Sequence, residues 1–331
     1  MPRCRVYLFT YKRNNLLPRA LKSLLDQTFT DWICEVHNDH PEDTFPERYI
    51  AQLNDSRLII KNHLQNLGGI KSFNLAFKNC AEEFASILED DNWWEPTFLE
   101  EMLSILVENP VAKIAWSNMR IWREDDGDRW TDSGETTWRL SANKLFSWPQ
   151  PNQVLAALHS NGAMVYRTIN CQKYAVPDNA LLNAVELIRE RSFEHPLLFH
   201  AKPLANFSIT KTTNRTNIPY HWIAVQCLML ASFVKSDKLP GRAFKIALSN
   251  HRDKKPSPVT VFFLANLLIL KSSSFYKYFN INDWFQITKW LIKHASHIPD
   301  MKRYLHSQMP TYKFLLKHTR ERFLEIQQPH N

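Results

Sequence analysis

Three consecutive acids follow an apolar segment of the chain. Glu89, Asp90 and Asp91 come directly after the run Phe84 to Leu88, which is typical of a buried strand. In open α/β sheets, ligands bind at the carboxyl ends of the strands. Adjacent carboxylates repel one another, and a bound cation relieves that repulsion. Because Mg²⁺ and Mn²⁺ prefer oxygen ligands and commonly bridge to phosphate oxygens, the cluster favours a metal–nucleotide site.

The bulk composition is that of a globular, basic chain. It has 331 residues, a formal net charge of +8, 44% hydrophobic residues and 22% charged residues. This length suffices for one large domain or two ordinary ones. A positive charge suits anionic substrates such as nucleotide-sugars, an anionic membrane face or nucleic acid. The basic residues are scattered and form no stripe, so nucleic acid is not an expected partner.

The cysteines and the apolar segments indicate the cellular compartment in which the protein is expected. The five cysteines are widely spaced and never form a C-x-x-C pair, which argues against a zinc site or a disulfide framework. No signal peptide is visible, and the longest apolar candidate, Val259 to Leu270, is too short to span a bilayer and contains Asn266. These features predict a cytoplasmic protein, at most attached peripherally to the cytosolic face of the membrane.

Strand-like and helix-like segments alternate in the first part of the chain. Such alternation predicts an α/β, Rossmann-like domain whose mixed, mostly parallel sheet has helices on both faces. The predicted strands are Val6–Phe9, Trp32–Val36, Leu58–Ile60 and Phe84–Leu88, and the predicted helices are Leu16–Leu25, Phe45–Leu53 and Ile70–Cys80.

The alternation continues less regularly beyond the acids. A helix is predicted from Pro96 to Val107, and another from Leu181 to Arg191. Strands are predicted at Lys113–Ile121 and Phe199–Ile209. The segment Arg123 to Arg139 is charged and rich in tryptophan, which predicts a loop.

The pattern becomes entirely helical from residue 218, which predicts two domains, 1–217 and 218–331. Prolines separate segments in which apolar residues recur at helical spacing, namely 221–235, 241–249, 259–271, 281–295 and 311–326. Within them, Phe275 to His294 is aromatic and basic. This segment fits contact with an anionic bilayer, and packing against neighbouring helices gives the same pattern.

Five blocks of sequence occur in a characteristic order. They are Phe9 to Asn14, Leu21 to Phe29, Asn38–Asp39, Asn66-x-Gly68 with Asn74-x-Ala76, and Leu88 to Pro96. Together they resemble the family 2 glycosyltransferases of the GT-A fold, strongly over residues 5–105, moderately to about residue 215, and not beyond it. The resemblance implies a nucleotide-diphospho-sugar donor, a Mn²⁺ or Mg²⁺ cofactor and inverting transfer of the sugar to an acceptor hydroxyl.

The resemblance assigns residues to the nucleotide. Thr10 and Tyr11 match positions that line the nucleoside pocket, where the Tyr11 ring offers a face on which a base can stack. Asp39 matches the acid that hydrogen-bonds the base in this family. Arg13 and Lys71 lie in regions from which a cation could reach the pyrophosphate.

The acid cluster fills the D-x-D motif of the family. By that resemblance, Asp91 is a direct metal ligand, and Asp90 contacts the ribose or the water around the metal. Glu89 stands where the family usually has an aspartate, and its longer side chain could hold the metal through water.

The catalytic base is the point at which the sequence departs most from the family. Asn183 and Ala184 stand near the expected pair of acids. Glu186 is the nearest carboxylate and is the candidate that would take the proton from the acceptor hydroxyl. A surface acid on an exposed helix face would give the same sequence, and Asp178 and Glu194 are further candidates for the base.

The sequence therefore predicts a metal-dependent glycosyltransferase. Its donor would be a UDP- or dTDP-sugar, by family habit, and its acceptor a glycan or lipid-linked glycan. Two alternatives stay open. One is a catalytically inactive module that binds nucleotide-sugars. The other is a sugar-nucleotide pyrophosphorylase, which is disfavoured because Thr10 to Leu17 contains no glycine for a phosphate-binding loop.

Overall fold

The computed structural model describes two compact units that alternate along the chain. The described residues are 3–126, 129–211, 219–236, 241–242, 245, 258–273 and 275–326. The first unit takes the described residues of 1–147, 159–175 and 193–214, and the second takes those of 148–158, 176–192 and 215–331. The predicted boundary between residues 217 and 218 lies outside the described residues, so it stays a prediction.

A mixed sheet of ten strands forms the centre of the first unit. Eight strands follow the order β3-β2-β1-β4-β9-β6-β10-β5, with β7 beside β6 and β8 beside β10. The longest ladders are parallel, and β9 runs antiparallel to β4 and β6. The strands are β1 (Cys4–Thr10), β2 (Trp32–Asn38), β3 (Leu58–Asn62), β4 (Phe84–Glu89), β5 (Trp93–Trp94), β6 (Ile114–Glu124), β7 (Trp130–Thr136), β8 (Lys144–Phe146), β9 (Met164–Arg167) and β10 (Leu197–Ile209).

Four α-helices accompany the strands among the described residues of the first unit, and they confirm the predicted α/β class. They are α1 (Leu17–Leu25), α2 (Phe45–Leu53), α3 (Gly69–Leu75) and α4 (Phe98–Glu108). The apolar stripe of α1 shows why it folds: Leu17, Leu21 and Leu24 are fully buried in the same core as Val6 and Leu8 of β1. Burial of such side chains is the main source of stability in a sheet with helices packed against it.

Two predictions for this unit are wrong. The segment 123–139 is not only a loop, because it contains β7, which pairs antiparallel with β6. Trp130 and the threonines of β7 favour strands, and this preference outweighs the charge of the segment. The helix predicted from Ile70 to Cys80 ends at Leu75. Tighter turns follow it, and they lead Phe77 to the ring of Tyr166, 5.2 Å away between centroids.

The second unit is helical where it is described, as predicted for the C-terminal part of the chain. Its helices are α5 (Val185–Glu190), α6 (Pro219–Ser236), α7 (Pro258–Ala265), α8 (Ile281–His294), α9 (Ile298–Ser307) and α10 (Met309–Glu325), and a π-helical segment, Asn266–Leu270, continues α7. Among the described helices, none has the length and apolarity that crossing a membrane requires.

Three helix predictions for this unit need comment. The helix predicted at 181–191 is shorter, because a 3₁₀ turn, Leu182–Ala184, precedes α5. Most of the helix predicted at 241–249 lies outside the described residues. The sequence pattern does not predict helix α9, because it places Pro299 between two helical segments. Pro299 instead stands in the first turn of α9, where proline is well tolerated.

Gln27 joins helix α1 to the segment that carries β5 and α4. Its Nε2 donates to the carbonyl oxygens of Ser23 at 2.9 Å and Glu95 at 2.8 Å. Its Oε1 accepts from the backbone N–H of Leu99 at 2.9 Å. The side chain is buried, so these bonds satisfy every polar atom it would otherwise leave without a partner.

We expect Gln27→Ala to lower the free energy of unfolding by about 1–3 kcal/mol, because it leaves the buried N–H of Leu99 and the carbonyl of Ser23 without the Gln27 side chain. The Glu95 carbonyl loses one bond and keeps the one from the Phe98 N–H. Urea unfolding followed by tryptophan fluorescence measures the change. Gln172→Ala is the matched control, since Gln172 is exposed. Equal stability of the two variants would show that the Gln27 bonds do not stabilise this junction.

Candidate functional site

The carboxyl ends of β1, β2 and β4 lie side by side at one edge of the sheet. These strands are parallel neighbours, with Thr10 opposite Asn38 and Phe9 opposite Glu89. The residues that follow the strands therefore emerge together. The N–H of Asp39 donates to the Thr10 carbonyl at 3.0 Å, which fixes the end of β2 against the end of β1. Open parallel sheets bind ligands at such an edge.

Arg13 bridges two of the three consecutive acids. Its Nη1 lies 3.2 Å from Asp90 Oδ1 and also donates to Asp91 Oδ2. The backbone N–H of Tyr11 donates to Asp90 Oδ2 at 3.3 Å. Burial, and next the charge of Asp91, raise the pKa of the Asp90 carboxyl above its usual range, although Arg13 opposes the shift. One guanidinium thus balances two carboxylates, and a further cation would be stabilised here.

The residues at this edge fit a divalent ion that also binds phosphate. Mg²⁺ sites of this kind typically use one or two carboxylates and complete the shell with phosphate oxygens and water. Asp90 and Asp91 supply such a pair. Within the described ranges, no group of three or more His, Cys, Asp or Glu side chains is arranged to hold a metal. The remaining ligands would therefore have to come from a bound substrate and water.

Glu89 is not brought to the other two acids. Its Oε2 accepts from Asn92 Nδ2 at 2.7 Å, and Gly162 approaches the same oxygen so closely that a Cβ there would lie 2.8 Å from it. Strand β4 ends at Glu89, whereas Asp90 and Asp91 lie in the turn that follows it. The role of Glu89 at the metal stays a prediction, and the structure directs its carboxylate towards Asn92 and Gly162.

Asp39 holds the loop that follows β3. Its Oδ1 accepts from the N–H of Leu67 at 2.7 Å and lies 2.9 Å from His63 Nδ1. Its Oδ2 accepts from the N–H of Gly68 at 3.0 Å. A carboxylate offers about four lone-pair sites, so three partners leave one site on Oδ2. The contact of Asp39 with a base stays a prediction, and it would use that one site.

A pair of histidines, His37 buried and His63 partly buried, supports Asp39. His63 Nε2 lies 3.0 Å from His37 Nδ1, and the two ring centroids are 5.3 Å apart. The sequence analysis missed His63. The available signal was weak, because a single histidine after a strand forms no pattern, and its contact with Asp39 spans 24 residues of sequence.

Tyr11 is an exposed member of the predicted nucleotide-binding residues. It is 42% exposed, and the Lys12 ammonium lies 5.2 Å from the centroid of its ring. Lys12 has a φ of 56°, in the left-handed region that non-glycine residues seldom adopt. Thr10 is buried beneath the edge. Lys71 lies in the first turn of α3 with its side chain exposed.

Arg19 holds the main chain of the loop that carries Asp90 and Asp91, which we call the acid loop. The sequence analysis missed this role. Its Nη2 donates to the carbonyl oxygen of Asp91 at 2.8 Å and to Ser208 Oγ at 3.1 Å. The guanidinium carbon lies 3.9 Å from the Trp93 ring centroid and 4.1 Å from that of Trp130. Burial lowers the pKa of Arg19 to about 10, so it stays charged at neutral pH. Only the folded chain brings these five residues together.

The candidate base lies outside the first unit. Glu186 stands in the first turn of α5 and is partly buried, and Asp178 is exposed in the same, second unit. Glu194 belongs to the first unit, where it forms an ion pair with Lys173. All three carboxylates therefore remain candidates for the catalytic base, and the assignment of Glu186 to that role stays a prediction.

The sequence matches a known family. Residues 6–170 match the family model described as glycosyl transferase family 2. This range includes β1 to β4 and the edge that carries Tyr11, Arg13, Asp39, Asp90 and Asp91. The chain belongs to the family 2 glycosyltransferases, as the resemblance of its sequence blocks implied.

A curated relative supports the same family over part of the chain. Over 104 residues, the chain is 28% identical to the putative colanic acid biosynthesis glycosyl transferase WcaA of Escherichia coli (strain K12). The match covers 31% of this chain and 37% of the relative, so it spans little more than a third of the relative's length.

Solved structures of S. aureus TarS share the fold. TarS 1–349 has a TM-score of 0.56 at 13% identity, over 99% of this chain and 93% of that chain. TarS 1–349 in complex with UDP-GlcNAc has a TM-score of 0.55 at 12% identity, with the same coverage. At such low identity, the likeness shows a shared GT-A fold and a helical region that follows it.

We expect Asp39→Asn to lower the free energy of unfolding of the protein by about 1–3 kcal/mol. An amide replaces one acceptor oxygen with a donor, so it cannot accept from His63, Leu67 and Gly68 together, and the lost bonds are to a charged acceptor. Urea unfolding measures the change. Asp26→Asn is the control, since Asp26 forms only an exposed pair with Lys22. A matching, small change in both variants would contradict the structural role of Asp39.

Proposed function

We propose that this protein is a metal-dependent, inverting glycosyltransferase. It transfers a sugar from a nucleotide-diphospho-sugar, most simply a UDP- or dTDP-sugar, to a hydroxyl of a glycan or lipid-linked glycan. Membership of the family supports the reaction class. The observation that carries the proposal is the pair Asp90–Asp91, bridged by Arg13 beside the open ring of Tyr11 at the carboxyl edge of the sheet.

The donor would bind along this edge. The exposed ring of Tyr11 suits stacking of a base, and the remaining lone-pair site of Asp39 suits a base N–H. Asp90 lies next to the backbone of Tyr11, where it suits the ribose. The fold shared with TarS, which has been solved with UDP and with UDP-GlcNAc, supports a uridine nucleotide-sugar as the first donor class to test.

The leaving diphosphate would be stabilised by charge. Mn²⁺ or Mg²⁺ held by Asp91, with Asp90 beside it, would neutralise the negative charge that grows on the leaving group, and Glu89 would reach the metal only through water. Arg13 is the cation nearest the acid pair, and it adds a positive charge beside the diphosphate. Arg19 keeps the backbone of Asp91 in place, which orients the carboxylate before any ligand arrives.

Activation of the acceptor is assigned to Glu186. An inverting transfer needs one group that takes the proton from the acceptor hydroxyl as its oxygen attacks the anomeric carbon. Glu186 is the proposed base, with Asp178 and Glu194 as the carboxylates to compare. A lipid-linked acceptor would place the protein at the cytosolic face of a membrane, and the net charge of +8 suits an anionic surface or acceptor.

We expect wild-type protein with Mn²⁺ to release nucleoside diphosphate from one member of a panel of nucleotide-sugars, and EDTA to abolish the release. Asp91→Asn should lower turnover by about 10²–10³-fold, because it removes a charge that holds the metal against the leaving group. A coupled assay for the released diphosphate, run with glycan acceptors, gives the rates.

Glu108→Gln is the matched control for this assay, since Glu108 is an exposed acid of the same unit. Turnover that survives EDTA would contradict the metal dependence. Donor binding without turnover, across the whole acceptor panel, would favour the inactive binding module. Failure to bind any nucleotide-sugar would contradict the proposed function itself.

For the base, we expect Glu186→Gln to lower the rate of transfer by about 10²–10⁴-fold and to leave donor affinity unchanged, because general base catalysis contributes on that scale. Donor affinity is measured by calorimetry with UDP and Mn²⁺. Asp178→Asn is the control in the same unit. Full activity of Glu186→Gln would exclude it as the base, and loss of activity in Asp178→Asn alone would reassign the role.

A further inference from the structure

Helix α8 exposes a row of large apolar side chains. Ile281, Phe285 and Ile292 are 81%, 69% and 83% exposed. Their spacing along the helix puts them on one face, and we call these three residues the apolar stripe. Large apolar side chains that are exposed together, and not singly, mark a surface for a partner or a membrane.

Contacts on the opposite side of α8 and at its first residues hold the helix in place, so the apolar stripe belongs to an ordered helix. Ile287 is 1% exposed. Asn280 and Asp283 form a capping box at the start of the helix, with Asp283 N–H donating to Asn280 Oδ1 at 2.9 Å and Asn280 N–H to Asp283 Oδ2 at 3.0 Å. The centroids of the Trp284 and Phe279 rings are 5.4 Å apart.

The segment that carries the stripe is mainly basic. The segment 271–297 contains four lysines and a single acid, Asp283, whose carboxylate is committed to the capping box. All four lysines are exposed. Lys289 and Lys293 stand four and eight residues after Phe285 along α8, beside the stripe. These four lysines are Lys271, Lys277, Lys289 and Lys293.

We propose that this face of α8 lies on the surface of an anionic phospholipid bilayer. The stripe would enter the boundary between head groups and acyl chains, while Lys289 and Lys293 pair with lipid phosphates. A second copy of the chain fits less well, since two stripes facing each other would bring the flanking lysines together. This inference concerns the second unit alone, and it does not depend on the proposed transfer reaction.

Sedimentation with vesicles tests the proposal on the full chain. We expect binding to vesicles of phosphatidylcholine and phosphatidylglycerol in equal parts, little binding to phosphatidylcholine alone, and weaker binding as salt is raised. Phe285→Ser and Ile292→Ser should each lower the partition coefficient by about fivefold to tenfold, because each removes apolar area from the interface. Lys289→Gln and Lys293→Gln should each lower it by about fivefold.

Two control variants lie on neighbouring helices of the same unit. Leu324→Ser removes a side chain on α10 that is 59% exposed, and Lys302→Gln removes an exposed charge on α9. Both should bind vesicles as wild type does. All these positions are on the surface, and far-UV circular dichroism confirms that each variant is folded.

Three results would overturn the proposal. The first is failure of the wild-type protein to bind the anionic vesicles, and the second is equal binding by wild type and the stripe variants. The third would come from sedimentation velocity without lipid. A wild-type dimer that Phe285→Ser dissociates, with vesicle binding unchanged, would assign the stripe to a contact between two copies.

Discussion

The first unit depends on the balance of charge at the carboxyl ends of β1 and β4. Asp90 and Asp91 stand side by side at an edge where the backbone has turned away from the sheet, and repulsion between them favours their separation. Arg13 opposes that repulsion from the loop after β1, and Arg19 opposes it indirectly by holding the Asp91 carbonyl. Two arginines from one short segment thus determine the shape of the acid loop.

The contacts of Arg19 link β5, β7 and β10 at this edge. Its guanidinium lies against two indole rings that meet edge to face, while Nη2 donates to the Asp91 carbonyl and to Ser208. Lysine has neither the flat faces nor the forked donors. The strand β7, in a segment that the sequence pattern predicts to be a loop, supplies Trp130 to these contacts.

The sequence predicted features that are local and missed those that need the fold. The acids at the end of β4 and the alternation of strands and helices are contiguous in the chain, so their patterns are visible. The contacts of Asp39 with Leu67 and Gly68 join segments 28 and 29 residues apart, and no local pattern encodes them. The direction of Glu89 is an intermediate case, because Asn92 is three residues away along the chain whereas Gly162 is distant in the sequence.

The aromatic and basic segment shows how one pattern can serve two purposes. The sequence leaves both packing and membrane contact open for this segment. In the structure Ile287 is buried, Trp284 is 37% exposed while its ring contacts that of Phe279, and Ile281, Phe285 and Ile292 are largely exposed.

Under the proposed function, charge balance bears on how the metal and the donor bind at the edge of the sheet. With both carboxylates ionised, Asp90, Asp91 and Arg13 together carry one net negative charge, and a divalent cation with a doubly negative diphosphate leaves that charge unchanged. Either ligand alone would shift it by two units, so the charge balance favours entry of metal and donor together.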